Sequence, residues 1–172
     1  LSNDELVGTL KHPNKFFRQT AIRIFHDRHD AGLTPKLRQL VREGTGQFAL
    51  ECFWALNACG GFTHEVALET LEHKDEFVRS WTVRLLGDRY PPARYSSSTA
   101  KPLPAAIENK LVDLARQEPE AQVRAQLASS AKRLPGQNAL SVLREAMYRA
   151  EDAGDKHIPL LIWWALESKA TS

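Results

Sequence analysis

The chain has 172 residues, 42% of them hydrophobic and 26% charged, and its 23 Lys and Arg against 21 Asp and Glu leave a formal net charge of +2. This is the composition of a globular protein, and the length suffices to bury a core without disulfides or metals. The charge balance excludes the strong basic excess that is typical of nucleic-acid binders. No apolar run in the sequence approaches the ~20 residues of a membrane-spanning helix.

Short amphipathic stretches separated by turn residues predict an almost entirely helical chain, because no window alternates polar and apolar residues as a strand does. Capping side chains, prolines and glycines set the expected boundaries of the first six helices. These helices are expected at about 3–11, from Asn14, from Thr34, between Gly46 and Gly60, from Thr63 and from Asp75.

The second half of the chain is expected to hold four more helices, at about 107–115, 123–131, 140–150 and 158–166. Ten helices make five helical hairpins. Between the two halves, residues 90–104 are rich in proline and serine and are long for a connection between packed helices, so they predict an insertion loop. We interpret residues 1–172 as a single domain that contains this loop.

An internal repeat supports the hairpin arrangement. Residues 10–28 and 71–89 align at an offset of 71 − 10 = 61, and seven of the nineteen pairs are identical. The hairpin between the two copies occupies about half of that offset, so the underlying period is roughly 30 residues, as in helical-pair repeats. Such repeats bury their apolar faces against their neighbours.

The run Asp75-Glu76-Phe77-Val78-Arg79, with the apolar residues that follow it, resembles the second helix of a HEAT repeat. A weaker copy occurs around Arg124. The resemblance implies an all-α, α–α superhelix (a HEAT-like solenoid) in which Asp75, Arg79 and Arg124 belong to a structural ladder of hydrogen bonds. The first unit departs from the pattern, because Asn14 stands where the aspartate is expected.

A second resemblance covers most of the chain and rests on residues 53–61, 71–73, 77–88 and 157–167. These segments are similar to the HEAT-like helical part of the large secreted planctomycete and verrucomicrobial proteins often labelled membrane-bound dehydrogenases. In that family a β-propeller precedes the helical part and a haem-binding cytochrome c module follows it. The resemblance implies an extracytoplasmic or periplasmic location, although no signal-peptide pattern opens the chain. The start at Leu1, with Met147 as the only methionine, suggests a piece of a longer protein.

No motif assigns chemistry to this segment. It lacks Cys-x-x-Cys-His and phosphate-binding glycine loops, so no haem, cofactor or catalytic residue is expected. Cys52 and Cys59 are about 10.5 Å apart along a helix, too far for a disulfide, and are expected to be buried thiols. His26–Asp30 could offer metal ligands, but two imidazoles do not complete a site and a polar helix end explains them better. Glu65 and Glu69, one turn apart, are expected on a solvated face.

Four residues are candidates for contact with a partner. Trp81 and Arg84 lie off the apolar stripe of their helix, and Arg18 and Arg23 occupy positions equivalent to Arg79 and Arg84 in the first repeat. An exposed tryptophan beside an arginine is typical of a binding hot spot. The alternative is that the tryptophan packs between repeats while the arginines bond to turns and helix ends.

Trp163 and Trp164 are adjacent, so a helix directs them about 100° apart, and at most one can point straight into a core. The other is expected to cover the terminal repeat or a neighbouring module.

The leading hypothesis for function is a non-catalytic scaffold that binds a protein or neighbouring domains of its own chain, as a monomer and without a membrane span. The alternative is a nucleic-acid-binding protein like the DNA glycosylases built from HEAT-like repeats, which the charge of +2 argues against. A site in the loop at 90–104 has no support beyond the length of that loop.

Overall fold

A computed structural model describes residues 1–89 and 102–170. The described residues contain ten α-helices and no β-strand, which confirms the predicted all-α class. The helices are α1 (Asn3–Thr9), α2 (Lys15–Arg28), α3 (Thr34–Glu43), α4 (Gly46–Ala58), α5 (His64–Leu71), α6 (Glu76–Asp88), α7 (Ala105–Gln117), α8 (Ala121–Ala131), α9 (Gly136–Met147) and α10 (Ile158–Ala170). The predicted insertion loop at about 90–104 falls mainly on residues 90–101, outside the described residues.

The chain divides into two compact units, Leu1–Val78 and Arg79–Ser172, and the division falls within α6. In the first unit, α4 packs against both α2 and α3, while α1 packs on α2 and α5 on α3. The largest fully buried side chains of this unit belong to its core. They are Leu6, Leu10, Phe25, Leu37, Phe53, Leu56 and Leu71.

The turns before α2 and α6 have the same geometry, which extends the sequence repeat to the structure. His12 Nδ1 accepts the Asn14 N–H at 3.0 Å, and His73 Nδ1 accepts the Asp75 N–H at 3.0 Å. The capping side chain then accepts an N–H two residues further on, at 2.9 Å in both turns. Because Nδ1 of the buried His73 is an acceptor, its Nε2 carries the hydrogen and donates to the Val41 carbonyl at 2.9 Å.

Asp75 also has a second role. Its Oδ2 accepts the Gly46 N–H at 2.5 Å, at the first residue of α4, so a single carboxylate caps α4 as well as α6. Helix N-termini carry unpaired N–H groups and a partial positive charge, and a carboxylate satisfies both. Thr63 caps α5 as the sequence predicts, with its hydroxyl accepting the Val66 N–H at 3.2 Å.

In the second unit, α9 packs against α7, α8 and α10, and α8 packs against α10. Its core includes Leu86, Ile107, Leu111, Leu127 and Leu143. The helix α10 begins after Asp155, whose Oδ1 accepts the N–H groups of His157 at 2.8 Å and Ile158 at 2.9 Å. The bonds from Ile158 and His157 lower the pKa of the Asp155 carboxyl.

Two glycines mark close approaches between elements. A Cβ at Gly61 would lie 2.5 Å from Leu56 Cδ1 and 2.6 Å from Thr34 Cγ2, so no larger residue fits after α4. A Cβ at Gly87 of α6 would lie 3.1 Å from the Cβ of Ser130, which shows that α6 and α8 approach closely there.

Candidate functional site

Arg18, a candidate partner-binding residue, is held inside the first unit. Its Nε donates to Glu51 Oε1 at 2.7 Å, and its Nη1 donates to the carbonyls of His12 at 2.9 Å and Pro13 at 2.8 Å. The side chain of Arg18 is 14% exposed and that of Glu51 is 2% exposed. The guanidinium therefore ties the turn before α2 to the middle of α4.

Arg124 repeats this arrangement in the second unit. Its Nη1 donates to the carbonyls of Glu118 at 3.1 Å and Pro119 at 2.6 Å, six and five residues before it, as Arg18 does to its own turn. Its Nε and Nη2 bind Asp152, with Nη2 at 2.6 Å from Oδ1. The bonds to this carboxylate raise the pKa of Arg124, outweighing the opposing effect of burial.

Arg79, the third of these arginines, makes a bidentate contact with a carboxylate. Its Nε and Nη2 donate to the two oxygens of Glu118 at 2.9 Å and 2.6 Å. Because the Glu118 carbonyl accepts from Arg124, one residue binds two successive arginines. The arginines of the predicted ladder are thus paired with Glu118 and Asp152, whereas the third predicted member, Asp75, caps two helices.

The acidic partners Glu51, Glu118 and Asp152 were not identified from the sequence. They lie 33, 39 and 28 residues after their arginines, so no fixed spacing relates them. One signal was present for Glu118, which stands two residues before the N-cap Glu120, as His73 stands before Asp75. Its Oε1 accepts the Glu120 N–H at 3.1 Å, in the way the histidine nitrogen does.

The other candidates are more accessible. The Arg84 guanidinium carbon lies 4.7 Å from the centre of the Trp81 ring, so the structure brings these two residues together in a cation–π contact. Arg84 is half exposed and its Nε lies 3.8 Å from Asp88 Oδ2. Arg23 lies exposed on α2 in the first unit.

The largest exposed apolar side chains of α10 are Leu160, Trp163 and Trp164, which we call the α10 stripe. They are 44%, 61% and 46% exposed, so neither tryptophan is buried. Their spacing of i, i+3 and i+4 places them on one side of the helix. The opposite side, with Ile158, Ile162 and Ala165, is buried.

Comparison with models of known protein families, with characterised proteins and with solved structures finds no significant match to this chain. Function is therefore inferred from the chain's own residues.

Several features that could suggest a chemical site have simple structural explanations. Glu65 and Glu69 both bind Arg38, and the bond from Arg38 lowers the pKa of Glu69.

A cavity of about 20 Å³ between α3, α4 and α5 is lined by Val41, Leu56, Val66, Thr70 and others and has room for about one water molecule.

The potential metal ligands His26 and His29 and the two thiols all lie in the first unit. The rings of His26 and His29 are 5.0 Å apart, and within residues 1–89 and 102–170 no three His, Cys, Asp or Glu side chains group as metal ligands. Cys52 and Cys59 are buried free thiols. Across the same part of the chain, no helix has the length and apolar character needed to cross a membrane.

Proposed function

We propose that this chain is a non-catalytic helical scaffold that binds another protein through the α10 stripe. The observation that carries the proposal is the exposure of three large apolar side chains on one side of a single helix. Clustered apolar residues at a surface are typical of protein contacts, and tryptophan is enriched among the residues that dominate binding energy.

The roles of the arginines support an apolar rather than an electrostatic mode of binding. Arg18, Arg79 and Arg124 are each paired with a buried carboxylate, so their charges serve internal contacts. The repeated arginine turn also favours the HEAT-like repeat interpretation. Arg18 and Arg124 each donate to the carbonyls that stand six and five residues before them.

The resemblance to secreted planctomycete and verrucomicrobial proteins suggests where such a scaffold would act. We propose an extracytoplasmic setting within a larger protein, where neighbouring domains are among the available partners. The proposed role needs no cofactor and no catalytic residue.

A second candidate function is nucleic-acid binding, which the Trp81–Arg84 contact favours, because a stacked arginine and an indole can both contact bases. Asp88 lies beside Arg84, however, and the net charge of +2 gives little attraction for phosphates. The apolar surface of α10 is the better supported site.

Photo-crosslinking tests the proposal. Benzoylphenylalanine in place of Trp163 should give a defined covalent adduct with one protein when the chain is irradiated in extract of the cells that produce it. The same probe at Tyr148, which is 79% exposed, is the matched control. Excess unlabelled wild-type chain should compete for the adduct, whereas a Trp163→Ala chain should not. Equal, unselective labelling from both positions would contradict the proposal.

A further inference from the structure

We draw no further inference here: the strongest candidate, the exposed side of α10 that carries Leu160, Trp163 and Trp164, belongs to the site already described, and nothing in the structure shows what kind of partner covers it.

Discussion

Arg18 and Glu51 form an ion pair across 33 residues of sequence, with 2.7 Å between Nε and Oε1. The carboxylate is almost fully buried in the middle of α4, where Gln47 also donates to Oε1, at 2.6 Å. Its Oε2 is buried without a hydrogen-bond partner among the described residues. Removing one member of such a pair leaves the other charge desolvated and unpaired, which costs more than the pair itself contributes.

Glu51→Ala should therefore lower the free energy of unfolding by about 3–5 kcal/mol. The double variant Arg18→Met with Glu51→Leu should recover most of that loss, because neither charge then remains buried. Urea unfolding followed by circular dichroism measures both. A cost below about 0.5 kcal/mol for the single variant, the range of ordinary surface changes, would show that the pair is not effectively buried.

Arg124→Lys should lower the free energy of unfolding by about 1–3 kcal/mol, because a lysine cannot bind two carboxylate oxygens and two carbonyls at once. The matched control is Arg144→Lys, at a side chain that is 64% exposed and that, among the described residues, bonds to its neighbour Glu145 alone. We expect a change within about 0.5 kcal/mol there. Equal effects of the two substitutions in thermal or urea unfolding would reject a structural role for Arg124.

The thiol of Cys52 should make stability depend on alkaline pH. Burial raises its pKa to about 12, so the folded state keeps the thiol neutral, while the unfolded state ionises near pH 8.5. Between these values the unfolded state releases a proton that the folded state retains, and the free energy of unfolding should fall by up to about 1.4 kcal/mol per pH unit. Cys52→Ala should remove that part of the slope in urea titrations from pH 8 to 10. An identical slope in both proteins would mean that the thiol is not shielded.

Replacing each of two glycines by alanine should change the free energy of unfolding in opposite directions. Gly61→Ala places a methyl group against Leu56 and Thr34 and should destabilise the fold by about 1–3 kcal/mol. Gly8→Ala, in α1 with nothing within 4 Å of the new Cβ, should stabilise it by about 0.5–1 kcal/mol. Melting temperatures of the two variants test the packing at the end of α4, and a neutral Gly61→Ala would argue against the close approach described there.

Nucleic-acid binding is the alternative function, and a gel-shift titration with a short DNA duplex at low salt addresses it. With a net charge of +2 we expect no affinity tighter than about 10⁻⁴ M. Arg84→Ala should then change nothing. Micromolar binding that weakens steeply with salt and is reduced by Arg84→Ala would favour the alternative.

The sequence predicted those features that depend on neighbouring residues. The cap at Thr63, the breaks around Gly44 and Gly60, and the all-α class follow from local turn chemistry and helical periodicity, and the structure confirms them. The alignment of residues 10–28 with 71–89 also anticipated that His12 and His73 would occupy the same turn.

Turn chemistry and helical periodicity could not predict the contacts between elements that are distant in sequence. Periodicity indicates which face of α4 is buried, and that face was read as apolar, so a buried Glu51 paired with α2 had no signal. The angle between Trp163 and Trp164 was predictable from helix geometry, but their shared exposure depends on which elements pack against α10.

The exposure of the α10 indoles gives the chain an intrinsic optical reporter. Of its four tryptophans, Trp163 and Trp164 are the more exposed, whereas Trp54 and Trp81 are partly covered. Indole emission moves to shorter wavelength when water leaves the ring. A molecule that binds to the α10 stripe should therefore blue-shift the fluorescence of the unlabelled protein. Occupancy can thus be followed in solution without a dye.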